Sequence, residues 1–214
     1  MKTEDLIRTL AADQSGPTSP LARALVLGLL PGIALAVLFY SIVLGPRPHL
    51  MNLLSHQPRV DFKVLLPWLL LVTAWPVTLR LVQPGANWRR AAWLLLLPVV
   101  ALVVAVGVEL VLLPEETWRG FWMGHNALIC STLVPLMAFG PLIAVLLVLK
   151  RSGAPTNPTL AGAGAGLIAA AFGLALYSTH CPDDSPLFVA CWYGLATVIT
   201  VVIGSVLGSR WLRW

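Results

Sequence analysis

The side chains best suited to chemistry in this chain are its cysteines and histidines. Cys181 stands directly after His180, Cys130 and Cys191 fall near the starts of two long apolar runs, and His125 precedes the first of those runs. Two thiols can form a disulfide in an oxidising compartment. Thiolate and imidazole can also bind a soft metal ion such as copper or zinc, held transiently. Because no CxxC or HxxxH pair is present, the spacing leaves both kinds of chemistry open.

Each of these residues also has a structural interpretation. Cys130 and Cys181 could form a permanent disulfide, while Cys191 is expected to be a small buried hydrophobic residue rather than a ligand. The chain has no closely spaced redox pair, phosphate-binding loop, triad-like spacing or pair of carboxylates inside an apolar run. These observations predict that the protein is not an enzyme and that it requires no resident cofactor.

The elements that must position these groups are membrane helices. Hydrophobic residues make up 58% of the chain and charged residues 11%, whereas a soluble domain carries about 25% charge. A helix needs about 20 apolar residues to cross a bilayer, and helices satisfy their own backbone groups there. The sequence predicts an all-α fold, a polytopic bundle of six transmembrane helices spanning residues 22–214. The six runs are 22–44, 63–82, 91–113, 127–149, 159–177 and 187–208.

Positive charge predicts the orientation of the bundle. If both termini are cytoplasmic, the outer segments contain only Arg47, Arg59, Lys63 and Arg119 of the basic residues, and the inner segments contain all the others. This distribution follows the positive-inside rule. It places the thiols outside the cell, and it explains the net charge of +5 by orientation and lipid headgroups. No basic cluster with interleaved aromatic residues indicates direct binding of nucleic acid.

Glycines in the last two runs predict close helix packing. Gly162 and Gly166 in the fifth run, and Gly204 and Gly208 in the sixth, have the small-xxx-small spacing that lets helix backbones approach each other. The alternative is self-association through the same faces.

Glu109 is the only acidic residue well inside an apolar run. Such a residue is a functional candidate by default, but it could also snorkel outward or pair with Arg119 or Lys63. A proton or ion pathway would need several such groups on different helices. A small metal or solute transporter is therefore the alternative function.

Residues 1–21 are predicted to be a cytoplasmic tail that contains a short amphipathic helix with Thr3 at its N-cap. A helix of this length is marginal alone. The tail could be disordered, lie on the membrane, or fold into a groove of a soluble partner. The candidate partner-binding residues are Leu6, Ile7 and Leu10 in the tail, and Arg89 and Arg90 in an inner loop.

Several segments resemble the NrsF family, the negative regulators of sigma F. They are MKTEDLI at residues 1–7, LGPRP at 44–48, HCPDDSP at 180–186 with Trp192-Tyr193 after it, and the ending at 208–214. The resemblance covers essentially the whole chain.

This resemblance implies a six-helix anti-sigma factor of the bacterial inner membrane. Such proteins hold an extracytoplasmic-function sigma factor inactive until heavy-metal or oxidative stress releases it. By position, the two signalling cysteines of the family correspond to Cys130 and Cys181. His180, His125 and Cys191 are then the accessory candidates around them.

Overall fold

The computed structural model describes Glu4, Asp5, Arg8 and residues 19–213, and that part of the chain contains helices and no strand. The α-helices are α1 (Ser19–Val43), α2 (Leu50–His56), α3 (Pro58–Val82), α4 (Trp88–Ala92), α5 (Leu96–Leu112), α6 (Glu115–Met123), α7 (Ala127–Ser152), α8 (Pro158–Ser178), α9 (Pro186–Phe188) and α10 (Gly194–Trp211). A short 3₁₀ segment (Trp93–Leu95) precedes α5, and a π-helical segment (Val189–Tyr193) precedes α10.

Six segments of the described chain are long and apolar enough to cross a membrane, and they match the six predicted runs. In the second, α3 begins at Pro58 and not near residue 63. Proline suits the first turn of a helix, where its missing N–H costs nothing. Lys63 therefore lies more than one turn inside α3. The helices α2 and α6 were not predicted and occupy segments expected to be loops.

The central helix of the bundle is α8, which packs against α3, α7 and α10, while α1 packs on α7. A Cβ on Gly166 would lie 2.7 Å from the Cα of Val201, and one on Gly208 would lie 2.6 Å from the Cα of Gly162. Any side chain there would collide with backbone of the facing helix. The structure thus confirms the predicted small-residue packing between α8 and α10.

The most peripheral spanning helix is α5. Of its residues only Pro98 and Glu109 are buried. Within the most apolar stretch of α8, 67% of the residues are buried. In the corresponding stretch of the segment that contains α5, only 11% of the residues are buried. A cavity of about 250 Å³ separates α5 from α3, α8 and α10. It is lined by apolar side chains that include Leu70, Leu102 and Leu174.

The two ends of the bundle differ in charge. We call the end formed by α2, α6 and residues 179–185 the thiol end, and the opposite end, where α1 begins and α10 finishes, the basic end. Within residues 19–213, every acidic residue lies at the thiol end: Asp61, Glu109, Glu115, Glu116, Asp183 and Asp184. The basic end has Arg23, Arg80, Arg89, Arg90, Lys150, Arg151, Arg210 and Arg213, all of them exposed.

Most of the predicted tail helix, including Leu6, Ile7 and Leu10, lies outside the described residues. Glu4, Asp5 and Arg8 are helical and exposed.

Candidate functional site: a buried thiol pair beneath a polar loop

Residues Thr179–Ser185, here called the thiol loop, connect α8 to α9. The last turn of α8 ends with the N–H of Cys181 donating to the carbonyl of Tyr177 at 3.0 Å. Pro182 follows and cannot continue the helix, because it has no N–H to donate. The loop finishes at Ser185, whose hydroxyl accepts the N–H of Leu187 at 3.2 Å and caps α9.

Cys130 and Cys181 are both free and completely buried. Cys130 lies in the first turn of α7, and the two residues belong to one apolar cluster with Tyr177, Phe188 and Tyr193. Burial raises the pKa of Cys181 above its ordinary value, and the nearby ammonium of Lys63 only partly offsets this effect. The loop therefore protects a neutral, unreactive thiol.

Two cationic side chains, those of Lys63 and Arg47, bind the thiol loop. The ammonium of Lys63 is fully buried, donates to the carbonyl of Cys181 at 2.5 Å and to that of Asp183 at 3.3 Å, and pairs with the carboxylate of Asp184. Arg47 pairs with the same carboxylate at 3.0 Å and donates to the Cys181 carbonyl at 3.3 Å. These contacts attach the loop both to α3 and to the segment after α1.

Asp183 binds the two residues that precede the helix containing Cys130. Its carboxylate accepts the backbone N–H of His125 at 3.2 Å and that of Asn126 at 3.0 Å, and it also accepts the side-chain amide of Asn126 at 3.0 Å. A carboxylate near a helix N-terminus also favours the helix dipole. One acidic residue of the loop thus fixes the segment from which α7 begins.

Glu109 attaches α5 to the same loop. Its Oε2 accepts the hydroxyl of Ser185 at 2.7 Å and the N–H of Leu187 at 3.0 Å, and Oε1 lies 3.3 Å from Nη2 of Arg59. The expected pairing of Glu109 with Arg119 or Lys63 was wrong, and so was outward snorkelling, because Glu109 is only 3% exposed. Lys63 is instead occupied by the loop.

The accessory candidates do not converge on the thiols. Nδ1 of His180 lies 2.9 Å from the carbonyl of Gly45, so that nitrogen serves the backbone after α1. The side chain of His125 is 95% exposed, with Nδ1 3.6 Å from Asp183. In the described part of the chain, no three Cys, His, Asp or Glu side chains are grouped to hold a metal ion.

The expectation that Cys191 is buried was wrong, since this residue is exposed. It lies in the π-helical segment Val189–Tyr193. A π turn contains an additional residue and so displaces the faces of the helix relative to a regular α-helix.

The predicted contact residues Arg89 and Arg90 lie at the basic end, far along α4 and α5 from the thiol loop. Both are exposed. The side chain of Asn87 caps this helix by accepting the N–H of Arg90 at 3.4 Å, and the guanidinium of Arg89 lies 6.0 Å from the ring centre of Trp88.

Sequence reasoning missed the roles of Lys63, Asp183 and Asp184. The signal for Lys63 was available, because an ionisable residue within an apolar run is costly unless it has a partner. Its partners could not be identified, since they lie 118 or more residues away in the sequence.

The fold and site together define a helical protein with six segments long and apolar enough to cross a membrane, with buried thiols at one end and exposed basic charge at the other. A family model described as negative regulator of sigma F (NrsF) matches residues 10–214. Over alignments of 219 residues that cover both chains completely, the chain is 34% identical to a probable anti-sigma-F factor of Azospira oryzae and 32% identical to the anti-sigma-F factor of Caulobacter vibrioides. The chain therefore belongs to the NrsF family of negative regulators of sigma F, which confirms the resemblance. No solved structure matches it.

Proposed function

We propose that this protein is an anti-sigma factor of the bacterial inner membrane. In this proposal it holds an extracytoplasmic-function sigma factor inactive at the membrane and releases it when Cys130 and Cys181 react with an oxidant or bind a soft metal ion. The observation that carries the proposal is the full-length relationship to two anti-sigma-F factors. The role is regulatory rather than catalytic.

The distribution of charge supports an orientation. The exposed arginines and lysines of the basic end satisfy the positive-inside rule if that end is cytoplasmic. The thiol end then faces the periplasm, where disulfides form and persist. A signal from outside the cell would thus arrive at the cysteines, and the partner would bind at the other end.

Contacts of the thiol loop support a role in signalling. Each of the six spanning segments makes at least one hydrogen bond or ion pair with the loop. A displacement of the loop would therefore alter a contact of every one of these segments. The contacts are Tyr40–Thr179, Lys63–Asp184, Glu109–Ser185, Asn126–Asp183, Tyr177–Cys181 and Val189–Ser185.

Either trigger requires the loop to rearrange. Formation of one S–S bond transfers two electrons to the oxidant and removes both thiol protons, whereas binding of a metal ion displaces those protons. Both thiols are completely buried, so the reagent gains access only when the loop opens. Packed bundles respond to such local changes by moving between discrete arrangements.

The inner surface supplies the contacts to the partner. In the predicted tail helix, Leu6, Ile7 and Leu10 would form an apolar stripe that suits a groove on a soluble protein. Arg89 and Arg90 would pair with acidic side chains near that groove. A loss of a few kcal/mol in binding is enough for release, since every 1.4 kcal/mol is about a tenfold change in affinity.

The test is to extract the protein gently from its native membrane and to identify what co-purifies from the cytoplasm. A near-stoichiometric sigma factor is expected in unstressed cells, and it should be lost after treatment with copper or a thiol oxidant. The double variant L6D/I7D, with charge in the apolar stripe, should lose the sigma factor without any treatment. If no sigma factor co-purifies while the purified protein retains or transports metal, the protein is a transporter and the proposal is wrong.

A further inference from the structure

We propose that Glu109 is a positioning residue that couples the thiol loop to the Arg89–Arg90 segment at the opposite end of the bundle. Its carboxylate fastens one end of α5 to the loop, and α5 transmits displacement of that end along its length. Only the consequence for sigma binding rests on the proposed function. The mechanical part stands on the packing of α5.

The first observation is the weak burial of α5. Only Pro98 and Glu109 are buried in it, and the cavity of about 250 Å³ lies between α5 and the centre of the bundle. Few apolar contacts therefore fix the position of α5, and the cavity provides room for movement. Segments with few buried contacts move most readily.

The second observation is the strength of the attachment at Glu109. Three groups, the hydroxyl of Ser185, the N–H of Leu187 and the guanidinium of Arg59, lie within 3.3 Å of its carboxylate. Hydrogen bonds to an ionised carboxylate are about twice as strong as neutral ones, and burial strengthens them further. Ser185 belongs to the thiol loop, so displacement of the loop acts directly on this attachment.

The third observation is the continuity of the helical segment. From Trp88 to Leu112 the chain is helical without interruption, through α4, the 3₁₀ segment and α5. At 1.5 Å per residue, Arg89 lies about 30 Å from Glu109 along this rod. At the end of this segment that contains Arg89, α4 packs against α3. A tilt of α5 that begins at Glu109 consequently reaches the segment that contains Arg89 and Arg90.

The experiment is hydrogen–deuterium exchange of the full chain in lipid nanodiscs, without any partner. In E109L the carboxylate is lost, and exchange within residues 88–95 should be about tenfold faster than in the original protein, as expected for the loss of a charge-assisted buried hydrogen bond. In E109Q the side-chain oxygen can still accept the bonds from Ser185 and Leu187, but the charge and the ion pair with Arg59 are lost, so exchange in that segment should accelerate by less than in E109L. Glu115, one of the two exposed acidic residues of α6, provides the control, E115L, which should have no effect.

Local destabilisation around residue 109 would accelerate exchange only near that residue. Unchanged exchange at residues 88–95 in E109L would therefore overturn the proposal, as would equal acceleration in E115L. If E109L loses protection throughout α7 and α8, it has not folded. The variant S185A, which removes one of the two hydrogen bonds, then provides the test and should give a smaller acceleration at residues 88–95.

Sigma binding by the same variants separates this inference from the proposed function. If E109L accelerates exchange at residues 88–95 and weakens sigma binding, while E109Q does both to a smaller degree, both proposals are supported. If exchange changes but no sigma factor binds even to the original protein, the proposed function fails while the coupling stands.

Discussion

At the thiol end, three of the four basic residues lie against carboxylates: Lys63 and Arg47 contact Asp184, and Arg59 contacts Glu109. The fourth, Arg119, is exposed. At the basic end, the arginines and lysines are exposed, and within residues 19–213 none of them forms an ion pair. The same residue types thus serve different purposes at the two ends. Charge at the thiol end binds a loop that covers two thiols, whereas charge at the basic end lies on the surface, where we propose that the partner binds.

Burial explains why the two sets should respond differently to substitution. Removing one member of a buried, hydrogen-bonded ion pair leaves uncompensated polar groups and is strongly destabilising. Exposed charges are solvated and contribute little to stability, although they can contribute to the rate and specificity of association.

The largest difference between the ends is expected for the pair of substitutions K63M and K150M. K63M removes the donor to the Asp183 carbonyl, one of the two donors to the Cys181 carbonyl and an ion-pair partner of Asp184, so the free energy of unfolding should fall by about 3 kcal/mol. The exposed Lys150 should tolerate the same change within about 0.5 kcal/mol. Unfolding titrations in mixed micelles measure both values. Labelling by a maleimide should also reveal Cys181 in K63M alone. Equal stability of the two variants would show that charge at the thiol end does not hold the loop.

A smaller effect is expected for D183A, which removes the carboxylate bound to the residues just before α7. Three hydrogen bonds to His125 and Asn126 are lost, and the free energy of unfolding should fall by about 1–2 kcal/mol. The thermal midpoint should fall accordingly, and exchange should accelerate in the first turn of α7, where Cys130 lies. D183N retains one acceptor oxygen and should be intermediate. Exchange that is faster everywhere except in α7 would contradict the proposal that Asp183 fixes the start of this helix.

The smallest effect on stability, together with a clear effect on binding, is expected for R89E/R90E. Both side chains are exposed, so the thermal midpoint should not change measurably. Affinity for the sigma factor should fall about tenfold, and the rate of association should lose part of its dependence on salt. R210E is the control, because it reverses the charge of an exposed arginine on another helix. Loss of stability without loss of affinity would reverse the roles of the two ends.

The apolar bundle could be predicted from the sequence, since the length of the runs and the glycine spacing depend on local composition. The spanning segments agree with the predicted runs, and Gly162, Gly166, Gly204 and Gly208 pack as expected. These features follow from the bilayer thickness and from the close approach of two backbones.

The polar contacts of the thiol end could not be predicted, because they join residues far apart in sequence. Glu109 pairs with Arg59 and not with the expected Arg119 or Lys63. The choice depends on which helix ends become neighbours. The exposure of Cys191 depends on a π turn, and apolar composition does not reveal where such a turn forms.

The central claim is that chemistry at Cys130 and Cys181 changes affinity at the opposite end. The most direct measurement is the Kd of the sigma factor for the full chain in nanodiscs, before and after treatment with a thiol oxidant or copper. In the original protein and in C191S the Kd should rise about tenfold or more. In C130S/C181S the affinity should remain high under the same treatment. Undiminished release from the double variant would contradict the claim.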